Sequence, residues 1–164
     1  MAIRVRTVDQ CLIISDDPAL FWLFYGMFVL GGAIALYLSL TQAMGPAMTV
    51  AGSLIGLGNI AGGLYMIRRE PASRVVIDAA AGAIRVTRWG IGGQRTLALP
   101  LLEFTAADVE STEHTDGGLV YRPRLRFTAS REVPVSLFWY QAAGPSRSVA
   151  EQIERFIRDA GSVT

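Results

Sequence analysis

The chain has 164 residues, 51% of them hydrophobic and 18% charged, with a formal net charge of +1. A soluble domain usually carries about a quarter charged residues. Here the deficit is local, because nothing from Pro18 to Ile67 is Asp, Glu, Lys, Arg or His. Such a stretch excludes an ordinary soluble protein, and it excludes a disordered tail, which would be polar or charged.

All 15 basic residues are Arg. Without Lys there is no Schiff-base lysine, no P-loop lysine and no Ser-Lys dyad. The single Cys, Cys11, cannot form an intrachain disulfide or a metal cluster, which fits a reducing compartment. From Arg68 onward thirteen Arg face eleven acids, too even a balance for nucleic-acid binding.

In chain order, residues 1–17 form a head with two β-like runs, able to add a strand to a later sheet. Residues 18–67 read as a transmembrane helical hairpin with spans over 19–40 and 48–67. Each span is about 20 residues, enough for a hydrocarbon core of about 30 Å at about 1.5 Å per residue. The runs are too long for a signal peptide, and Asp16 and Asp17 precede the first. Thr41–Ala47 connects them through the turn signal Gly45-Pro46. Arg4 and Arg6 precede the first span, Arg68, Arg69 and Arg74 follow the second, and the connector has none. By the positive-inside rule both termini are cytoplasmic.

The second span carries Gly52, Gly56, Asn59 and Gly63 at spacings that share one helix face. Two readings stand: packing against Gly31, Gly32 and Ala35 of the first span, or docking of another subunit. The run GLGNIAG lacks a preceding strand, so it is no dinucleotide loop.

Residues 68–164 change to period-two alternation, predicting about six short antiparallel strands. These fall over 74–78, 83–89, 94–99, 102–111, 119–128 and 132–139, with a hairpin turn at Thr115–Gly118. Pro123 predicts an edge strand or a bulge. Gly144-Pro145 reads as a break. Ser148 and Glu151 then read as a capping box opening an amphipathic helix over 148–160. Val149, Ile153, Phe156, Ile157 and Ala160 form its apolar stripe.

Strands closed by one terminal helix are the pattern of pleckstrin-homology-like (PH-like) domains. The residues VVIDAAAGAIRVTRWGIGG (Val75–Gly93), ALPLLEF (Ala98–Phe104), GGLVYRPRLRF (Gly117–Phe127), REVPVSL (Arg131–Leu137) and VAEQIERFI (Val149–Ile157) resemble the bacterial membrane-anchored PH-like proteins. Those pair two N-terminal spans with a cytoplasmic PH-like body. The resemblance implies an α-helical membrane hairpin plus an α+β body of six to seven strands in the bacterial inner membrane. It implies little chemistry.

His114 lies in a polar loop without a second His, and Glu103, Asp108, Glu110 and Glu113 read as a solvated strand face. Phe138-Trp139-Tyr140 reads as core or a lid under the helix, with Trp139 or Tyr140 free to face a partner. No nucleophile, base or metal set appears, so the expectation is a non-enzymatic protein without cofactor or small-molecule substrate. It would dock onto a larger membrane complex, or onto itself, as an accessory or assembly subunit. The alternative is a module that senses anionic lipid headgroups through Arg68, Arg69, Arg85, Arg88 and Arg95.

Overall fold

The computed structural model describes residues 3–42 and 45–161. Residues 1 and 2 of the expected head, 43 and 44 of the connector and 162–164 of the body lie outside the described residues. The chain divides into two units. One is Pro18–Pro71 with Gly90–Gly92, and the other comprises the rest.

The helical unit contains α1 (Ala19–Thr41) and α2 (Pro46–Arg69). At 23 and 24 residues both are long and apolar enough to cross a membrane. Each is about 35 Å at about 1.5 Å per residue. Leu20, Leu30, Leu40, Leu54 and Ile55 are exposed, as lipid-facing side chains are. Pro46 opens α2, where its missing N–H costs nothing, and Arg68 and Arg69 sit in the last turn, where cations suit the helix dipole. So α2 runs two residues beyond the expected span.

The helices meet through glycine. A Cβ on Gly56 would lie 2.8 Å from the Gly32 carbonyl oxygen and 2.9 Å from the Leu36 nitrogen. One on Gly63 would lie 2.9 Å from the Tyr25 carbonyl oxygen. Gly52 faces the Ser39 hydroxyl, which itself donates to the Ala35 carbonyl at 2.7 Å. At one end, Trp22 Nε1 donates to the Glu70 carbonyl at 2.9 Å.

Among the described residues the β-rich unit has eight strands, six from the body at 68–164, within the expected number, and two from the head, where one was expected. A five-stranded sheet runs in the order β1 (Arg4–Val8), β2 (Cys11–Asp16), β3 (Ala72–Asp78), β4 (Ala83–Gly90), β5 (Gly93–Pro100). A three-stranded sheet runs in the order β6 (Phe104–Glu113), β7 (Leu119–Phe127), β8 (Arg131–Pro134). The head supplies two strands, and β2 pairs antiparallel with β3 from Cys11↔Asp78 to Asp16↔Ser73. The whole hairpin is therefore an insertion between two hydrogen-bonded strands.

Alternation turns Leu12, Ile14, Val75, Ile77, Ile84, Val86 and Leu99 of the first sheet inward, where they meet Leu125, Phe127, Val133 and Val135. The helix α3 (Ala143–Gly161) adds Val149 and Ile153, with Phe156 and Ile157 packed at the margin. Each fully buried aliphatic side chain contributes roughly 1.5–3 kcal/mol.

Three expectations fail for physical reasons. The helix α3 begins five residues before Ser148, because Pro145 lies in its first turn, where no intrahelical N–H is needed. Residues 101–103 form a short 3-10 turn, so β6 starts at Phe104. Pro123 is buried in the central strand β7, neither at an edge nor at a bulge. The Val135 N–H donates to its carbonyl at 2.9 Å, and the Val135 carbonyl, deprived of a return N–H, accepts the Ser73 hydroxyl at 2.9 Å. That substitution also ends β8 at Pro134 rather than Trp139.

Gly56→Ala places a methyl against the α1 backbone, whereas a Cβ on Gly58 meets nothing within 4 Å. Overpacking costs about 1–3 kcal/mol. Thermal unfolding in mild detergent is expected to show Gly56→Ala destabilised and Gly58→Ala unchanged.

Candidate functional site

The three strand arginines of the lipid reading, Arg85, Arg88 and Arg95, do not share one sheet face. Arg68 and Arg69 are exposed at the end of α2. In β4 the inward positions are Ile84, Val86 and Arg88, while Arg85 and Thr87 point outward. The Thr87 and Thr96 hydroxyls meet at 3.3 Å, so these two share the outer face, and alternation gives Arg95 the parity of Leu97 and Leu99, although Arg95 is exposed near the start of β5. Arg85 therefore lies on the opposite face from Arg88 and Arg95. Arg88 is half-buried, with Nη2 donating to the Pro134 carbonyl at 3.0 Å and Nε buried without a partner. Burial lowers its pKa, and Arg122 lowers it further.

Gly52, Gly56 and Gly63 are brought together against Ser39, Gly32, Leu36, Val29 and Tyr25 of α1, whereas a Cβ on Gly31, expected in that packing, meets nothing within 4 Å. Asn59 lies beside them, half-buried, in a shallow groove of about 220 Å³ with Phe24, Phe28, Gly58 and Gly62. The glycine face of α2 is thus occupied within the hairpin.

One end of the β-sandwich core is polar. Asp16 follows Leu12 and Ile14 inward and is 2% exposed. Ser73 stands opposite it on β3, and Arg88 opposite Ser73 on β4. Two strand spacings separate Asp16 from Arg88, about 10 Å, and Arg88 donates to the Pro134 carbonyl rather than to Asp16. Asp16 Oδ2 instead accepts hydrogen bonds from the Ser136 hydroxyl and, at 3.0 Å, from the Tyr140 hydroxyl. Its Oδ1 is buried without a partner. Burial raises the pKa of Asp16, opposed by those two hydrogen bonds and assisted by the Asp17 charge. Burial also raises Tyr140.

A cleft of this unit runs between β6 and α3. It has a volume of about 610 Å³ and is lined by Val109 and by Arg147, Glu151, Glu154, Arg155 and Arg158. Glu154 reaches across it, accepting the Ala107 N–H at 2.6 Å. On the outer sheet face, Asp108 pairs with Arg124 at 2.6 Å and Glu110 with Arg122 at 2.7 Å. Two of the four expected surface acids thus sit in cross-strand ion pairs. Arg122 also lies 4.1 Å above the Trp139 ring, a cation–π contact. His114 bonds Asp116 at 3.1 Å within the exposed β6–β7 turn, where Asp116 also accepts the Gly118 N–H.

The cleft arginines and Asp16 were absent from the sequence-based candidates. Asp16 was visible in the period-two run Leu12, Ile14, Asp16. The cleft was not, since it exists only where α3 meets β6. Compared with known proteins, the chain matches no protein-family model and no curated protein.

An acid whose folded pKa is raised holds its proton more tightly when folded. Its contribution to stability is fullest below the unfolded value of about 3.9. That contribution is lost as pH rises from there through the folded pKa. Asp16→Asn is therefore expected to flatten this part of the pH–stability curve and to be no less stable than wild type at pH 7. Asp16→Ala strands two hydroxyls and is expected to lose about 1–3 kcal/mol. Thermal unfolding from pH 4 to pH 8 checks both.

Proposed function

We propose that this chain is a membrane-anchored docking protein, a non-enzymatic accessory or assembly subunit of a larger membrane complex. The observation that carries the reading is the charged cleft between β6 and α3, built on rigid elements of the β-rich unit. The two sheets closed by α3 fit a PH-like body of the bacterial membrane-anchored type. The flanking arginines and arginine-free connector favour both termini on the cytoplasmic side of the inner membrane.

With Gly52, Gly56 and Gly63 already seated on α1, recognition of a partner falls to the body. Headgroup sensing has weaker support, because Arg85 is on the opposite sheet face from Arg88 and Arg95. The test is a mild-detergent pull-down of tagged full-length protein, resolved by native gel and mass spectrometry. A stoichiometric partner retained by Arg85→Ala and lost by Arg155→Glu is expected. A lone species carrying only lipid, or a loss on Arg85→Ala alone, would overturn the reading.

A further inference from the structure

In the order β6-β7-β8, β6 has a neighbour on one side only. Register shows which of its backbone groups are spare. The Ala107 N–H turns away from β7 to Glu154, so Ala107 opposite Leu125 is a non-hydrogen-bonded pair. Alternation gives the same state to Val109 opposite Pro123 and Ser111 opposite Tyr121. The partners agree independently. The Pro123 carbonyl is taken by Val135, and Tyr121 exchanges two 2.7 Å bonds with Tyr140, all directed away from β6. The N–H and C=O of Val109 and Ser111 therefore point to the open edge, and no other described residue bonds them.

Proteins usually protect such an edge. The first half of β6 is protected by a register shift between Phe104 and Ala106 and by Glu154 on the Ala107 N–H. The half from Val109 to Glu113 has neither. Val109 lines the cleft, and α3 forms its opposite wall.

The charges of that wall are uneven. Asp108 is neutralised by Arg124 and Arg126, and Glu154 is engaged with β6. Among the described residues Arg147, Arg155 and Arg158 form no ion pair, against two such acids, Glu151 and Glu154, the latter keeping its charge while it accepts the Ala107 N–H. An open strand edge beside a wall with one arginine in excess of its acids fits an extended ligand bearing carboxylates.

We propose that the cleft receives an extended acidic segment of a partner protein, added as a strand to β6 at Val109 and Ser111. Its carboxylates meet Arg147, Arg155 and Arg158. The proposal rests on the docking reading and names its ligand class.

The test uses full-length protein in detergent and two labelled peptides of equal length, one alternating Thr and Glu, the other Thr and Lys. Fluorescence anisotropy is expected to show the Thr-Glu probe binding at least tenfold more tightly, with affinity falling as salt rises. Its binding is expected to slow hydrogen exchange at the Val109 and Ser111 amides. Ser111→Pro removes an outward N–H and leaves the β6–β7 bonds intact, so it is expected to weaken the probe at least tenfold at unchanged melting temperature. Should that variant fold poorly, Arg155→Glu on the exposed face of α3 is expected to abolish the preference for Thr-Glu. Equal binding of both probes, binding without slowed exchange, or indifference to Ser111→Pro and Arg155→Glu would overturn strand addition. If neither probe binds while wild type still captures a stoichiometric partner, strand addition falls and the docking reading stands. If the pull-down also yields none, both fall.

Discussion

The pairing of β2 with β3 is the constraint on which the rest of this structure depends. The chain leaves the sheet at Asp16 and rejoins it at Ala72, with Ser73 directly opposite Asp16. Paired residues in an antiparallel ladder lie about 4.5–5.5 Å apart. Everything between must therefore depart from and return to nearly one place, which two antiparallel helices of similar length accomplish. The same pairing puts Leu12 and Ile14 beside Val75 and Ile77, so the head completes the core. Without it β3 would be an edge strand with a half-covered apolar face.

Local signals made the helices and most hairpins legible. The charge-free stretch, Gly45-Pro46 and the arginines after Ile67 located the hairpin to within two residues at its far end. The head was harder, because β1 and β2 acquire meaning only through β3, more than fifty residues later. Pro123 misled for a related reason. A proline in a central strand needs a distant donor for the carbonyl it leaves unpaired, and Ser73 supplies it. Local rules cannot show that bond. The arginines of the lipid reading divide by parity: spacing on one hairpin looked like a cluster, but β4 turns Arg85 and Arg88 to opposite faces.

The two units differ in what their close contacts are made of. In the hairpin, small residues let backbones approach so closely that Gly32 and Gly56 have no room for a side chain. The β-rich unit keeps polar groups in two different states. At one end of its core Ser136 and Tyr140 both donate to Asp16 Oδ2, Oδ1 is left without a partner, and burial favours the neutral carboxyl. Along the β6 edge, backbone groups and arginines remain uncommitted, and these carry the docking reading.

The most direct test of this account is amide hydrogen exchange of the full-length protein in mild detergent, comparing Leu12–Ser15 with Arg74–Ile77. If the hairpin is an insertion between paired strands, the hydrogen-bonded amides of both segments open as one cooperative unit and exchange at similarly slow rates. Rapid exchange through Leu12–Ser15, beside a protected Arg74–Ile77, would contradict it.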